Sequence, residues 1–243
     1  MAAANNDDVK IFWIKHGWNL ECGRRRKAHA LRLWGKPRFY RATGKLETIR
    51  AMNILIFAGS TRQQSFNRQL AAAATQMARE AGATVTLLEL ASLDIPMYNA
   101  DLETKGTPSD VIRLKELMHA NPAWIICSPE YNGSYTALLK NTIDWASSPV
   151  KNDPNWAQGT KAFEGKVVGL LSASPGALGG LRSLSHLTPL LLNMQSWVTP
   201  RQYALAHAAQ AFDAQGQLQV PAQRQGVQAV VDQVLWASQR FND

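Results

Sequence analysis

From Met52 onward the sequence predicts an α/β protein: a doubly wound, three-layer sandwich around a five-stranded parallel sheet. Three observations carry that expectation. Short apolar runs alternate with amphipathic segments of helical period along the whole stretch. The runs are continuously apolar instead of alternating, as strands buried on both faces are. And three of the runs end in polar or glycine-bearing loops, at the strand ends where open parallel sheets place ligands.

Taken in order, "MNILIFAG" opens the sheet, and "SFNRQLAAAATQMAREAG" follows as a helix with Leu70, Ala74, Met77, Ala78 and Ala81 on one face, stopping at Gly82. "TVTLLEL" is the second strand. Val111, Leu114, Leu117 and Met118 mark a helix after Pro108. "AWIICS" is the third strand, and "YTALLKNTIDWAS" the helix after it. "GKVVGLLSAS" is the fourth, followed by a helix with Leu181, Leu184, Leu187 and Leu191. "SWVTPRQYAL" supplies the fifth strand, and Val227, Val230, Val231, Val234 and Leu235 a terminal amphipathic helix.

A chain of 243 residues with 46% apolar content suits one medium-sized domain with an appendage. No apolar run approaches the ~20 residues needed to span a bilayer, and "MAAANNDDVKIFWIKHGW" lacks the apolar core of a secretory signal. Cys22 and Cys127 make no disulfide framework and fit a reducing compartment, so a cytoplasmic location is expected. Cys127, inside an apolar run, reads as a small buried side chain.

The net charge of +8 resides wholly in residues 1–51, which hold twelve of the 26 basic and four of the 18 acidic side chains. The remainder is neutral. Residues 1–51 therefore read as a basic N-terminal extension, disordered or not translated, with Met52 as the start of the domain at 52–243. A targeting segment, or an arm whose arginines and interleaved aromatics bind nucleic acid, are the other readings of that stretch.

The first loop, Ala58 to Leu70, supplies Ser60, Thr61, Arg62, Ser65 and Asn67 just ahead of a helix. Helix-terminal N–H groups, hydroxyls and a guanidinium make a socket for a dianionic phosphate; alternatively Ser65 only caps the helix. Neither G-x-G-x-x-G nor G-x-x-x-x-G-K-[ST] is present, which leaves a monophosphate ester. In the second loop Pro129 ends the strand, Asn132-Gly133 permits a tight turn, and Ser134 is placed to cap the next helix. Backbone amides of such a turn can bond the edge of a planar heterocycle, with Tyr131 shielding it. Glu130 otherwise reads as a surface carboxylate, and Lys140/Asp144 as a solvated helical pair. In the third loop, Ser172 to Leu184, Gly176, Gly179 and Gly180 allow close approach to a ligand. No metal-ligand spacing, nucleophile elbow or acid–base set is present, and His186 stands alone, so hard chemistry falls to a cofactor.

"GSTRQQSFNRQL", "LDIPMYNADLE", "SPEYNGS…LLKNTIDWAS" and "SASPGALGGLRSL", in this order, resemble the NADPH-dependent FMN reductases of the flavodoxin-like superfamily, which includes quinone, chromate and azo-dye reductases. The resemblance covers about residues 52–240. It implies a flavodoxin-like sandwich with strand order 2-1-3-4-5 and non-covalent FMN. Ser60, Arg62, Ser65, Phe66 and Asn67 would hold the phosphate. Pro129, Glu130, Tyr131, Asn132 and Gly133 would line the isoalloxazine ring, mostly through backbone groups, with Ser174 and Gly176 at its pyrimidine side. NADPH or NADH would give hydride to the flavin N5, and electrons would pass to quinone, azo dye, metal ion or free flavin. No side chain need act as a catalytic acid, and a homodimer or homotetramer is implied.

Where the family continues with Ile-Pro-Gly after "PEYN-x-S", this chain has Tyr135-Thr136-Ala137, which alters the floor beneath an acceptor. Two other functions compete. A flavodoxin-like electron carrier without NAD(P)H activity is disfavoured by Arg62 and the neutral body, and a nucleic-acid module would act through residues 1–51.

Overall fold

The computed structural model describes residues 52–241 and the backbone of residues 11–14 and 17–20. The chain divides into two units, residues 1–46 and 47–243. In the first, β1 (Ile11–Ile14) and β2 (Gly17–Leu20) pair antiparallel, with Ile11 opposite Leu20 and Ile14 opposite Gly17. Strands of four residues are too short to register as a sustained period in the sequence. The remaining readings of the basic extension lie outside the described residues.

In the second unit strand and helix alternate. The elements are β3 (Asn53–Ala58), α1 (Phe66–Glu80), β4 (Thr84–Leu88), the short α2 (Ala100–Glu103), α3 (Ser109–Ala120), β5 (Ala123–Cys127) and α4 (Ala137–Ala146). They continue with β6 (Val167–Ala173), α5 (Leu181–Asn193), β7 (Trp197–Leu205) and α6 (Pro221–Phe241). All five strands are parallel in the order β4-β3-β5-β6-β7, which is 2-1-3-4-5 counted within the unit.

The continuous apolar runs are explained by two cores, one on each face of the sheet. Ile54, Ile56 and Ala58 of β3 face α1 and α6, in a core with Leu70, Met77, Val230 and Val234. Leu55 and Phe57 of the same strand face α3, α4 and α5, with Leu114, Ile143 and Leu187. Ile54 through Ala58 therefore lie under a helix whichever way they point. The outer strands β4 and β7 are half exposed. As an edge strand β7 tolerates Pro200, which falls at a register shift opposite Val168–Leu170. Beside the shift Gly169 lets α6 settle on the sheet, since a Cβ there would overlap Val234 and Val230.

Register places the site. Ala58 pairs with Cys127, and Cys127 with Leu171, so β3, β5 and β6 deliver their following loops to one edge of the sheet.

Candidate cofactor-binding site

The loop after β3 is held from below. Gly59 N–H donates to Cys127 O (2.9 Å), and Thr136 Oγ1 donates to Gly59 O (2.8 Å). A Cβ on Gly59 would lie 3.1 Å from Leu139 Cβ, so only glycine lets the loop press onto α4 without a shift. Arg68 braces the loop from the helix, donating to Arg62 O (3.3 Å) and pairing with Glu89 (2.9 Å). Ser60 Oγ accepts from Arg62 N–H (3.3 Å).

Ser65 occupies the N-cap position of α1 with extended backbone, but its side chain caps nothing. The residue is 3% exposed and its hydroxyl has no hydrogen-bond partner among the described residues. The amides of Phe66, Asn67 and Arg68, which the helix cannot satisfy, also lack acceptors there. Arg62 reaches over the Phe66 ring, 5.7 Å from its centre, and pairs with no carboxylate among the described residues. Three open amides, a free hydroxyl and an unpaired cation at a positive helix end are donors without an acceptor, and a phosphate dianion supplies one. Asn67 contributes differently from its neighbours. Its side-chain amide donates to Ala173 O (2.8 Å) and accepts from Ala173 N–H (3.0 Å), tying α1 to the end of β6. Its backbone N–H is the part that stays open.

In the loop after β5, Tyr131 and Ser134 exchange backbone hydrogen bonds (2.9 and 3.0 Å) across Asn132 and Gly133, at φ 51° and 81°. Positive φ at both central residues makes a tight hairpin turn of the I′ type, as Asn-Gly predicts. Two expectations fail here. Ser134 does not cap α4, because its backbone closes the turn; the helix begins at Ala137, and Thr136 caps it by accepting from Leu139 N–H (3.2 Å). Glu130 is not a surface carboxylate either. Its side chain is 9% exposed, with Oε1 accepting from Arg182 Nε (2.7 Å) and Oε2 from Arg182 N–H (3.1 Å). The Lys140–Asp144 pair is the partly exposed i,i+4 contact that the spacing implies (2.6 Å).

The loop after β6 is pinned to the opposite side: Ser174 N–H donates to Leu205 O (3.1 Å), and Gly176 O accepts from Gly179 and His207 amides. Ser174 Oγ accepts from Gly176 N–H (3.3 Å). Gly179 and Gly180 both take positive φ as the chain turns into α5. Beneath them runs a line of buried hydroxyls. Ser172 Oγ donates to Ser128 O (2.7 Å), and the hydroxyls of Ser128 and Ser183 share a hydrogen bond (2.5 Å). The first amides of α5 are satisfied by Leu178 O, the Glu130 carboxylate and Gly180 O. This helix end, unlike that of α1, is closed to an anion.

Together the loops border a cleft of about 170 Å³ that gathers Ser60, Arg62, Ser65, Phe66 and Asn67 with Pro129, Glu130, Tyr131 and Ser174. Asn132, Gly133 and Gly176 stand outside its lining, while Ala173 and Pro175, which the sequence did not single out, belong to it. Tyr131 stands at the rim, 57% exposed. Burial pushes the Cys127 thiol up, which keeps it protonated and inert. Arg182 was also missed, an arginine just after a Gly-Gly helix start being the available signal; Thr136 was noted only as a departure from the family pattern, not as the cap of α4. Among the described residues no group of three or more His, Cys, Asp or Glu is placed to hold a metal.

Open donors at the start of α1 and a tight turn after β5, gathered at one edge of a parallel sheet of order 2-1-3-4-5, define a flavodoxin-like arrangement. A sequence profile described as NADPH-dependent FMN reductase matches residues 52–210. An NAD(P)H-dependent FMN reductase of Pseudomonas aeruginosa is 36% identical over 169 residues, 69% of this chain and 84% of the relative. A quinone reductase of Pseudomonas putida is 32% identical over 168 residues, 68% and 84% of the two chains. Among solved structures FerB of Paracoccus denitrificans, a flavoenzyme NAD(P)H:(acceptor) oxidoreductase, superposes with a TM-score of 0.68 at 26% identity, covering 79% of this chain and 99% of its own. The chain belongs to the NADPH-dependent FMN reductase family, a family of flavoprotein oxidoreductases. No helix among the described residues is long and apolar enough to cross a membrane.

Proposed function

We propose that this protein binds FMN non-covalently and transfers electrons from NADPH or NADH to a small planar acceptor, a quinone first among them. The observation that carries the reading is the set of unpartnered donors at the start of α1, opposite the Pro129–Ser134 turn. The residues fit the cofactor. The amides of Phe66, Asn67 and Arg68, the Ser65 hydroxyl and Arg62 would hold its phosphate, and the Pro129–Gly133 backbone and Ser174 its ring. Bound there, FMN supplies hydride acceptance from the nicotinamide and electron delivery to the acceptor. Of the ionisable side chains in the cleft lining, Glu130 is tied to Arg182, Arg62 is a fixed cation and the Tyr131 phenol stands exposed at the rim. The exposed Tyr131 ring at the rim offers a flat apolar surface to a planar acceptor. The relatives named quinone reductase support that acceptor class. Azo dyes, metal ions and free flavin are the other acceptors of the same reading, with assembly as a homodimer or homotetramer in the cytoplasm.

The test is R62A. Losing a charge-assisted contact to phosphate should weaken FMN by roughly 10- to 100-fold, on the scale of hydrogen bonds to charged groups, while riboflavin, which lacks the phosphate, binds as before. Unchanged FMN affinity would refute the socket. NADPH oxidation with and without a quinone then tests the acceptor.

A further inference from the structure

We infer that Arg182 is a positioning residue for the ring-lining turn, acting through Glu130 without touching the ligand; this rests on reading the cleft as an FMN site. The hairpin at Tyr131–Ser134 has its own backbone bonds, but those fix its shape, not its direction. Its direction is set by two links to α5. Glu130, the residue before the hairpin, takes Arg182 Nε, Nη2 and backbone N–H on its two carboxylate oxygens. Ser134, at the far end, hydrogen-bonds His186 Nδ1 one helical turn further along (3.1 Å).

The guanidinium also lies under the turn itself. A Cβ on Gly133 would stand 3.9 Å from Arg182 Nε and 4.0 Å from its Cζ. Arg182 is thus both the counter-charge of Glu130 and a neighbour of Gly133 in the turn. Its side chain is 62% exposed and outside the cleft lining, with the guanidinium turned to Glu130. It is not a second phosphate group, since its Nε and Nη2 are committed to Glu130 and the open cation, Arg62, belongs to the α1 side. The Glu130 carboxylate, nearly buried at the positive end of α5, depends on this partner. Without it one backbone amide is left for a largely desolvated charge. Relief comes by Glu130 swinging toward water, a rearrangement at the residue that leads directly into the turn.

The site therefore has two separable ends, one read by Arg62 and one oriented by Arg182. Full-length protein stripped of flavin is titrated with FMN and with riboflavin, and the midpoint potential of the bound flavin is measured, for parent, R182Q and R182K. In R182Q both flavins should weaken by the same factor, about tenfold, and the potential of the bound flavin should move, because the amides facing the ring have shifted. R182K, which keeps the charge with fewer bonds, should recover part of both effects. A role confined to stability would lower the melting temperature and leave the potential of the flavin-loaded protein unchanged, which would overturn the inference. So would a loss of FMN affinity alone, which would make Arg182 a phosphate ligand. If R182Q does not fold, E130Q/R182Q removes the uncompensated charge and is measured in its place, with the same expected equality between the flavins. Binding of neither flavin by the parent would overturn the FMN reading and this inference with it; binding of both by the parent, unchanged in the variants, overturns only this inference.

Discussion

Replacing Gly180 by alanine tests the packing that brings the second and third loops together. Two separate costs follow from the structure. At φ 90° a side chain is strained by about 1–2 kcal/mol. The new Cβ would also overlap Ser172 Oγ and stand 3.0 Å from Ser172 Cβ. That hydroxyl cannot stay where it is, and moving it breaks its buried bond to Ser128 O, worth about 1 kcal/mol. G180A should therefore lose about 2–3 kcal/mol of unfolding free energy. S172A alone loses only the hydrogen bond, about 1 kcal/mol. The double variant keeps the backbone strain but has no hydroxyl to displace, so it should be less destabilised than the sum of the singles by roughly 1 kcal/mol. Urea denaturation followed by far-UV circular dichroism reads all four proteins. Strict additivity, or a G180A variant within about 0.5 kcal/mol of the parent, would mean that the overlap is relieved elsewhere and the reasoning fails.

Lys115, fully buried on α3, donates to Ala146 O and Ser148 O at the end of α4 (2.8 and 2.5 Å). Burial lowers its pKa from 10.5 to about 8, against the nearby Glu103, which raises it. The unfolded chain therefore holds more protons between about pH 8 and 10.5, and stability rises with pH through that window, with the full cost of about 3 kcal/mol present below it. In K115M that rise, about 2 kcal/mol between pH 7 and 9.5, should be missing from denaturation curves; an unchanged pH dependence would assign it to another group. N67A leaves both backbone groups of Ala173 unpaired and should cost about 2–4 kcal/mol in the same assay, and a loss under about 1 kcal/mol would show that the α1–β6 tie is not structural.

The layered fold was legible because its signals are local. Residues such as Ile54 through Phe57, apolar at every step, have one stable home, a strand covered on both faces. The Asn132-Gly133 turn was legible for the same reason, since its two positive φ angles are a property of the residues in it. The candidate site was legible as three loops of unusual composition, and parallel strands in register bring those loops to one edge.

The roles of single side chains were not legible in this way. Ser65 has the residue type and position of a helix cap, yet its hydroxyl stays open, and Thr136 takes the capping role expected of Ser134. Glu130 looks solvated beside its sequence neighbours, but its partner, Arg182, lies 52 residues away, and Asn67 is claimed by Ala173, 106 residues away. By itself, then, the sequence determined the sheet, the order of its loops and the family to which the chain belongs. Only the tertiary structure decided which polar groups are used up and which remain for a ligand. Periodicity and turn preference are written in adjacent residues, whereas a buried polar group is satisfied by whatever the fold sets against it, however distant in the chain.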